Sequence, residues 1–520
     1  MVRLGLRRRW SLRRILLFGS GFVIFLFLFA SLTPVTSPLP PYTGPHEVGV
    51  LDVEVGVERR VVHEAVLKET GERAFELHTL ALTLYYPSSP PRTTPKDPAP
   101  RQPLARPWLP QPISLIGKGY ARIAGVHFPP LQNLFTAGLW LFGRNTVIPG
   151  SVDAPLLSPR DHLPVGGVNV GDSSLGKIIG GEGKEKLVEE VLELRERMSE
   201  EGDGVGDLPC VVFTHGMAGM SQSYSHYLGS IASHGYVVAA VEHRDGSGPG
   251  TVIHGKDGKK ATVWHLEVDD LDHSPALNLS TLQQAQLAFR EAEIHETIAL
   301  FHSLHWGTSS PQNLKPYSPQ SSTLFSSLKS RLNTSAITIA GHSYGATGAL
   351  QALKTAPSAT MPINGGIALD PGKGSGTLNT DIDVPVLVMQ SGSWTEKQTE
   401  FYELGWHFDV VKKLVKGSGK GWFTTLAGTA HPSCTDAPLI VPWIMKMVTG
   451  TSLNARVALA EYIDVSVEFL EYLRNGEKKG VLKSQILSPN GPLGKEEMRK
   501  MVRGKEGAAW EVHVIPEPGQ

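Results

Sequence analysis

From Pro209 onward the chain alternates short apolar runs with helix-length stretches. The runs are Cys210–Thr214, Tyr236–Val241, Ala336–Ala340, Gly366–Leu369, Pro385–Gln390 and Trp422–Leu426. Between them Ser221–Ser233, Leu282–Leu304, Gly345–Lys354 and Leu439–Val448 read as helices, and Ala455–Arg474 as an amphipathic one. Unbroken apolar runs this short suit strands covered on both faces. Their alternation with helices predicts an α/β fold with a doubly wound, mostly parallel sheet flanked by helices.

Upstream, Val48–Val55 and Leu77–Tyr86 read as strands, the second rich in β-branched and aromatic residues. The segment from Ser88 to Pro107 carries seven prolines and reads as an exposed loop. Residues 166–207 are glycine-rich at both ends around a charged helix, Glu185–Glu200, and read as a surface insertion. Residues 46–475 would form the α/β domain. Residues 476–520 would follow as a tail, poorly ordered from Gly491 on.

The N-terminus follows another pattern. Residues 1–14 hold Arg3, Arg7, Arg8, Arg9, Arg13 and Arg14, and residues 15–32 are an uncharged run of 18. That length is at the lower end of what spans a bilayer. Arginine on its N-terminal side would hold that end in the cytosol and send the remainder into the lumen. An uncleaved signal anchor is the first expectation and a cleaved signal peptide, giving a secreted protein, the second. Residues 33–45, rich in Pro, Ser and Thr, read as a stalk. The sequons Asn278-Leu-Ser280 and Asn333-Thr-Ser335 agree with a lumenal glycoprotein.

Composition narrows the rest. With 49 basic and 50 acidic residues, nothing in the global charge favours nucleic acid as a partner. Two cysteines, Cys210 and Cys434, build no disulfide framework and no cysteine-rich zinc module; buried reduced thiols are expected.

The chemistry centres on Gly341-His-Ser-Tyr-Gly345, which follows the β-branched run Ala336–Ala340 and precedes a small-residue helix. Gly-x-Ser-x-Gly between strand and helix is the nucleophile elbow of the α/β-hydrolase fold. Gly341 and Gly345 let the backbone close in while Ser343 stands exposed above the sheet. A serine hydroxyl needs a base, and the base needs an orienting acid. In this fold the partners follow in the order Ser, acid, His, each on a loop after a strand. Asp370 ends Gly365-Gly-Ile-Ala-Leu369, and His431 lies just beyond Trp422–Leu426. Asp381 and Asp383 precede their strand and so fall on the wrong edge, and no strand feeds His407. An acyl-transfer site also needs backbone donors for an oxyanion. His215-Gly-Met217 follows Cys210–Thr214, so the amides of Met217 and Tyr344 are the expected pair. His215 and His342 read as structural neighbours.

Two other clusters read as structural. His265, Glu267, Asp269, Asp270, Asp272 and His273 lack a tight ligand spacing and read as a solvated face; no metal or cofactor is expected. Glu242-His-Arg-Asp245 reads as an internal salt-bridge network.

With these residues in view, the chain resembles the platelet-activating-factor acetylhydrolase family, in its secreted and lipid-associated branch. The resemblance rests on Thr43-Gly-Pro-His-Glu-Val-Gly49, Pro209-Cys-Val-Val-Phe-Thr-His-Gly216 and Ser233-His-Gly-Tyr-Val-Val-Ala-Ala-Val-Glu-His-Arg-Asp245. It continues through Gly341-His-Ser-Tyr-Gly345, Gly366-Ile-Ala-Leu-Asp370 and Gly428-Thr-Ala-His431. It implies calcium-independent hydrolysis of phospholipids with a short or oxidised sn-2 acyl chain. The implied roles are Ser343 nucleophile, Asp370 acid, His431 base, and the Met217 and Tyr344 amides as oxyanion hole. Ala346 stands where the family usually has glycine, and Pro371 follows the acid.

Overall fold

The computed structural model describes residues 36–89, 104–158, 207–255, 258–308, 311–315, 321–354, 356–486, 502–503 and 507–517. Its strands are β1 (Glu47–Leu67), β2 (Arg73–Ser88), β3 (Leu104–Pro107), β4 (Val147–Val152) and β5 (Leu208–Thr214). They continue as β6 (Val237–Val241), β7 (Gly250–His254), β8 (Lys260–Trp264), β9 (Leu271–Asp272) and β10 (Leu332–His342). The last five are β11 (Ile363–Leu369), β12 (Val386–Ser391), β13 (Gly421–Leu426), β14 (Val502–Arg503) and β15 (Ala509–Val514).

Thirteen of these form one sheet in the order β14-β15-β13-β12-β11-β10-β5-β6-β2-β1-β4-β3, with β9 beside β1. The six central strands, β13 through β6, are mutually parallel. Antiparallel neighbours flank them at both ends. From β5 the chain steps outward to β6, then returns to lay β10 on the other side of β5. That reversal is a topological switch point, where loops leaving the carboxyl ends of two adjacent strands diverge and open a crevice.

Side chains alternate to the two faces as the pleat requires. On β5, Cys210 and Val212 join one buried cluster with Ile294, Ile298 and Phe301 of the helix Leu279–Trp306. Val211 and Phe213 join the other, with Tyr227 and Ile231 of Ser225–Ser233 and Ile463 of Ala455–Asn475. Each fully buried side chain of this size contributes roughly 1.5–3 kcal/mol. Both thiols, Cys210 and Cys434, are free and buried.

All six predicted central strands and the helices between them are present. The N-terminal pair differs in extent: β1 and β2 form a long hairpin whose register shifts three times beyond Gly56. The stalk reading needs correction over residues 36–45. Leu39 is buried, the Ser37 amide donates to Ile440 O at 2.8 Å, and the Gly44 amide donates to Ser233 Oγ at 2.8 Å. Prolines there fix an extended segment that lies along the domain.

The tail reading is also overturned, because β15 pairs antiparallel with β13 and is buried along its whole length. Its Trp510 is fully buried and donates Nε1–H to Glu461 at 2.7 Å. A lone six-residue strand after a charged, glycine-bearing stretch has no periodic signal of its own; the bare edge of β13 recruits it. Residues 15–32 and residues 166–206 of the insertion lie outside the described residues. Among the described residues no helix is long and apolar enough to cross a membrane.

Trp510→Ala should therefore destabilise the domain by about 3–5 kcal/mol in denaturant unfolding. A second expectation concerns Glu468, whose Oε2 accepts the Val481 amide at 3.0 Å on the outer side of Ala455–Asn475. Burial pushes this carboxyl up to about 7, against the pull of the Val481 and Leu482 amides. A carboxyl raised on folding contributes stability at low pH that is lost as pH rises through the folded value. Glu468→Gln should match wild type near pH 4–5 and gain in melting temperature over it as pH rises to about 8.

Candidate active site

The crevice at the switch point is lined by the loops that follow β5, β10, β11 and β13. The elbow after β10 is a steric construction. A Cβ on Gly345 would lie 2.1 Å from Thr214 O, and one on Gly341 would lie 2.4 Å from Gly345 O. Only glycine fits at either position. The close approach is sealed by Thr214 Oγ1–H donating to Gly345 O at 2.6 Å. Ser343 sits between them at φ 56°, ψ −119°. Such a conformation costs a non-glycine residue about 1–3 kcal/mol and persists only where its surroundings dictate it. Here the Ser343 amide is held by Leu369 O at 2.9 Å.

The geometry places all three sequence-predicted side chains together. His431 Nε2 lies 2.9 Å from Ser343 Oγ, and His431 Nδ1 lies 3.0 Å from Asp370 Oδ2. Asp370 also has positive φ, 44°, and is buried. Its remaining lone pairs accept Ser391 N–H at 2.6 Å and Ser391 Oγ–H at 2.7 Å, from the end of β12. The acid is thus aimed by two donors, so the histidine keeps its Nδ1–H toward the carboxylate and presents Nε2 to the serine. Asp381 and Asp383 are exposed on the loop before β12, and His407 begins a helix at Trp406. Burial pushes His407 down to about 3.

The oxyanion loop is fixed amide by amide. Gly216 N–H donates to Tyr224 Oη at 3.2 Å, Ala218 N–H to Ser247 O at 2.8 Å, and Gly219 N–H to Gly216 O at 3.0 Å. Among the described residues the amides of Met217 and Tyr344 are paired with no carbonyl. His215 serves the turn: its Nε2 accepts the His243 amide at 3.1 Å, so Nδ1–H donates to Gly216 O at 2.9 Å. Below the loop lies Arg290, fully buried. Its guanidinium donates to His215 O at 2.6 Å, Asp245 Oδ2 at 2.7 Å and Ser247 Oγ at 2.6 Å. Its plane rests 4.5 Å from the Tyr344 ring centroid. A buried charge bonded through all three of its nitrogens rigidifies what it touches, and this one touches both halves of the expected oxyanion hole. In the Glu242-His-Arg-Asp245 segment, His243 pairs with Glu293 and Arg244 with Glu54, while Glu242 accepts the Ser221 amide and hydroxyl at 2.9 and 2.8 Å. In the polar 265–273 cluster, Asp270 pairs with Arg122 at 3.1 Å.

Sequence reasoning missed a second chain of bonds. His342 Nε2–H donates to His431 O at 3.0 Å, which leaves Nδ1 to accept the Tyr224 hydroxyl at 2.7 Å. The same hydroxyl oxygen takes the Gly216 amide, so one relay joins the oxyanion loop, the elbow and the histidine loop. Burial, with His431 nearby, holds His342 well below the ordinary imidazole range, as a donor–acceptor role requires. His342, Asp370 and His431 bring ligand-type atoms within 4.8 Å of one another. The hydrogen bonds above occupy them all. Tyr224→Phe should lower kcat about tenfold with KM within about twofold, since it frees the Gly216 peptide beside the oxyanion position while keeping the ring. Steady-state kinetics on a soluble ester checks this.

The family described as platelet-activating factor acetylhydrolase, isoform II, matches residues 191–483. A putative phospholipase A2 from Schizosaccharomyces pombe is 32% identical over 148 residues, covering 27% of this chain and 34% of that protein. A platelet-activating factor acetylhydrolase from Canis lupus familiaris is 30% identical over 165 residues, 31% of this chain and 34% of the relative. The chain thus spans about a third of the length of these relatives. The solved ferulic acid esterase from Streptomyces cinnamoneus aligns with TM-score 0.47 and 16% identity over 86% of this chain and 96% of its own.

Proposed function

The chain belongs to the platelet-activating factor acetylhydrolase, isoform II, family, and from that premise we propose that it hydrolyses a carboxylic ester of phospholipids through Ser343. The observation that carries the reading is the unbroken contact Ser343 Oγ–His431–Asp370, at 2.9 and 3.0 Å. His431 Nε2 accepts the hydroxyl proton as Ser343 Oγ attacks the acyl carbonyl, and Asp370 stabilises the imidazolium that forms. The Met217 and Tyr344 amides receive the oxyanion. His431 returns the proton to the departing lysolipid oxygen, leaving an acyl-serine. A water deprotonated by the same Nε2 then cleaves it to free fatty acid and serine. The serine is the nucleophile, so turnover is expected with calcium chelated.

The lipid preference follows from family membership and from the surface. Phe128, Leu131, Leu134, Trp443, Met447 and Val448 are 46–73% exposed. The last three lie on Pro442–Thr449, a few residues beyond the His431–Cys434 turn. The first three belong to Phe128 and the helix Pro129–Gly143, which abuts Ile113–Ile123 at Gly117; Ile116 of that helix packs on Met220 of the oxyanion loop. Apolar side chains of this size left in water beside a cleft suit a membrane or lipid-aggregate surface. An N-terminal anchor at residues 15–32 would hold that surface at a bilayer.

Wild type and Ser343→Ala are compared on a short-sn-2-chain phospholipid, a long-chain phospholipid and a p-nitrophenyl ester, with chelator present. Short-chain phospholipid turnover that falls about 10⁴-fold or more in the variant is the expected result. Turnover of the simple ester alone would favour a general carboxylesterase. Equal traces of activity in both proteins would sink the serine mechanism.

A further inference from the structure

The base of the triad is braced by a residue outside it. The Trp394 indole lies on the His431 imidazole, with ring centroids 3.9 Å apart and planes 12° from parallel. This contact joins two loops on different strands, and Trp394 is fixed independently of it. Its Nε1–H donates to Pro371 O at 3.1 Å, on the loop that carries Asp370. Its short helix, Gly392–Glu396, is tied to the histidine loop by Gly392 N–H to Thr429 Oγ1 at 3.2 Å and Ser393 N–H to Thr429 O at 3.0 Å. Lys373 Nζ caps the same helix at Trp394 O, 2.5 Å away, and at Lys397 O. The indole is therefore anchored to the acid loop and to the histidine loop at once.

We propose that Trp394 is a positioning residue of the hydrolytic reaction, holding the His431 ring in the one plane where both of its nitrogens reach their partners. His431 is partly open to solvent, its side chain 30% exposed against 4% for Asp370. A hydrogen bond at each nitrogen fixes a ring's in-plane direction but leaves it free to rock about the line joining them. A stacked aromatic face removes that freedom and screens the Nδ1–H···Oδ2 bond from water. It also offers π density to the imidazolium present only during the reaction. Both effects act on the transition state more than on bound substrate, so the role belongs in kcat.

This inference rests on the serine-hydrolase reading, and its test separates the two. Wild type, Ser343→Ala, Trp394→Leu and Trp394→Phe are assayed on a soluble p-nitrophenyl ester, with the melting temperature of each. The expected result is kcat reduced about five- to thirtyfold in Trp394→Leu. KM should stay within about twofold, with at least half of the lost rate (on a log scale) restored in Trp394→Phe. Should the leucine variant not fold, Trp394→Met takes its place as the non-aromatic arm. Unchanged kcat in the non-aromatic variant would overturn the proposal. So would a loss confined to KM, or a phenylalanine variant no faster than leucine. Wild type no faster than Ser343→Ala would instead reject the hydrolase reading itself, and this inference with it.

Discussion

The structure turns on a backbone contact too close for any side chain. At the carboxyl ends of β5 and β10, the Gly345 peptide presses onto Thr214 and the Gly341 peptide onto Gly345. Ser343 is forced into positive φ between them. The strain is local, but its supports are spread across the sheet. The Ser343 amide is bonded to the end of β11, and the Asp370 amide is bonded to Met389 at the end of β12. Each parallel strand thus fixes the loop leaving its neighbour. A parallel sheet buried on both faces supplies that rigidity, because none of its central strands can shift register without turning apolar side chains to the wrong layer.

Polar groups beneath the crevice follow the same logic. Arg290 and Asp245 are both fully buried and bonded to each other. Neither contributes much net stability by burial, since desolvation offsets most of the Coulomb gain. What their pairing secures is direction: His215 O, Ser247 and the Tyr344 ring are held by one planar group. The Tyr224–His342 relay does the same on the other side of Gly216, with no net charge. The oxyanion loop is therefore pinned from two sides by groups that the reaction itself does not consume.

Much of this was legible in the chain. The central strands carry near-continuous apolar runs; Ser343 and Asp370 directly follow two of them and His431 lies shortly beyond a third, so order and spacing pick out the three side chains that the fold brings together. The Met217 and Tyr344 amides are expected as oxyanion donors from the same placement, and that role remains part of the proposed mechanism. Trp394 was not legible, since Ser391-Gly-Ser-Trp394 carries no pattern and its contact with His431 exists only once β12 and β13 lie side by side. Tyr224 looked like one more apolar residue of a helix, and its hydroxyl gained meaning from two partners distant in sequence. The Ala509–Val514 strand escaped notice because six residues cannot announce an edge strand whose template is elsewhere. The apolar surface on Pro129–Gly143 was equally hidden, since whether such residues are buried depends on what packs over them, and only the fold shows them exposed.

The environment also explains which histidine suits the proposed role of base. Among the described residues, three histidines around the elbow and the loop after β5, besides His431, are committed. His215 uses one nitrogen on the His243 amide and the other on Gly216 O. His342 uses its two on Tyr224 and on His431 O. His243 meets Glu293 at 2.6 Å in a site with no exposure. There burial raises the carboxyl and lowers the imidazole. Protonating any of the three would charge a group cut off from water and break a bond that shapes a loop. His431 alone combines partial exposure, a carboxylate at Nδ1 and a hydroxyl at Nε2. A proton arriving on Nε2 there meets a ready counter-charge and disturbs no structural bond, which is what the proposed mechanism asks of a base that cycles its proton twice per turnover.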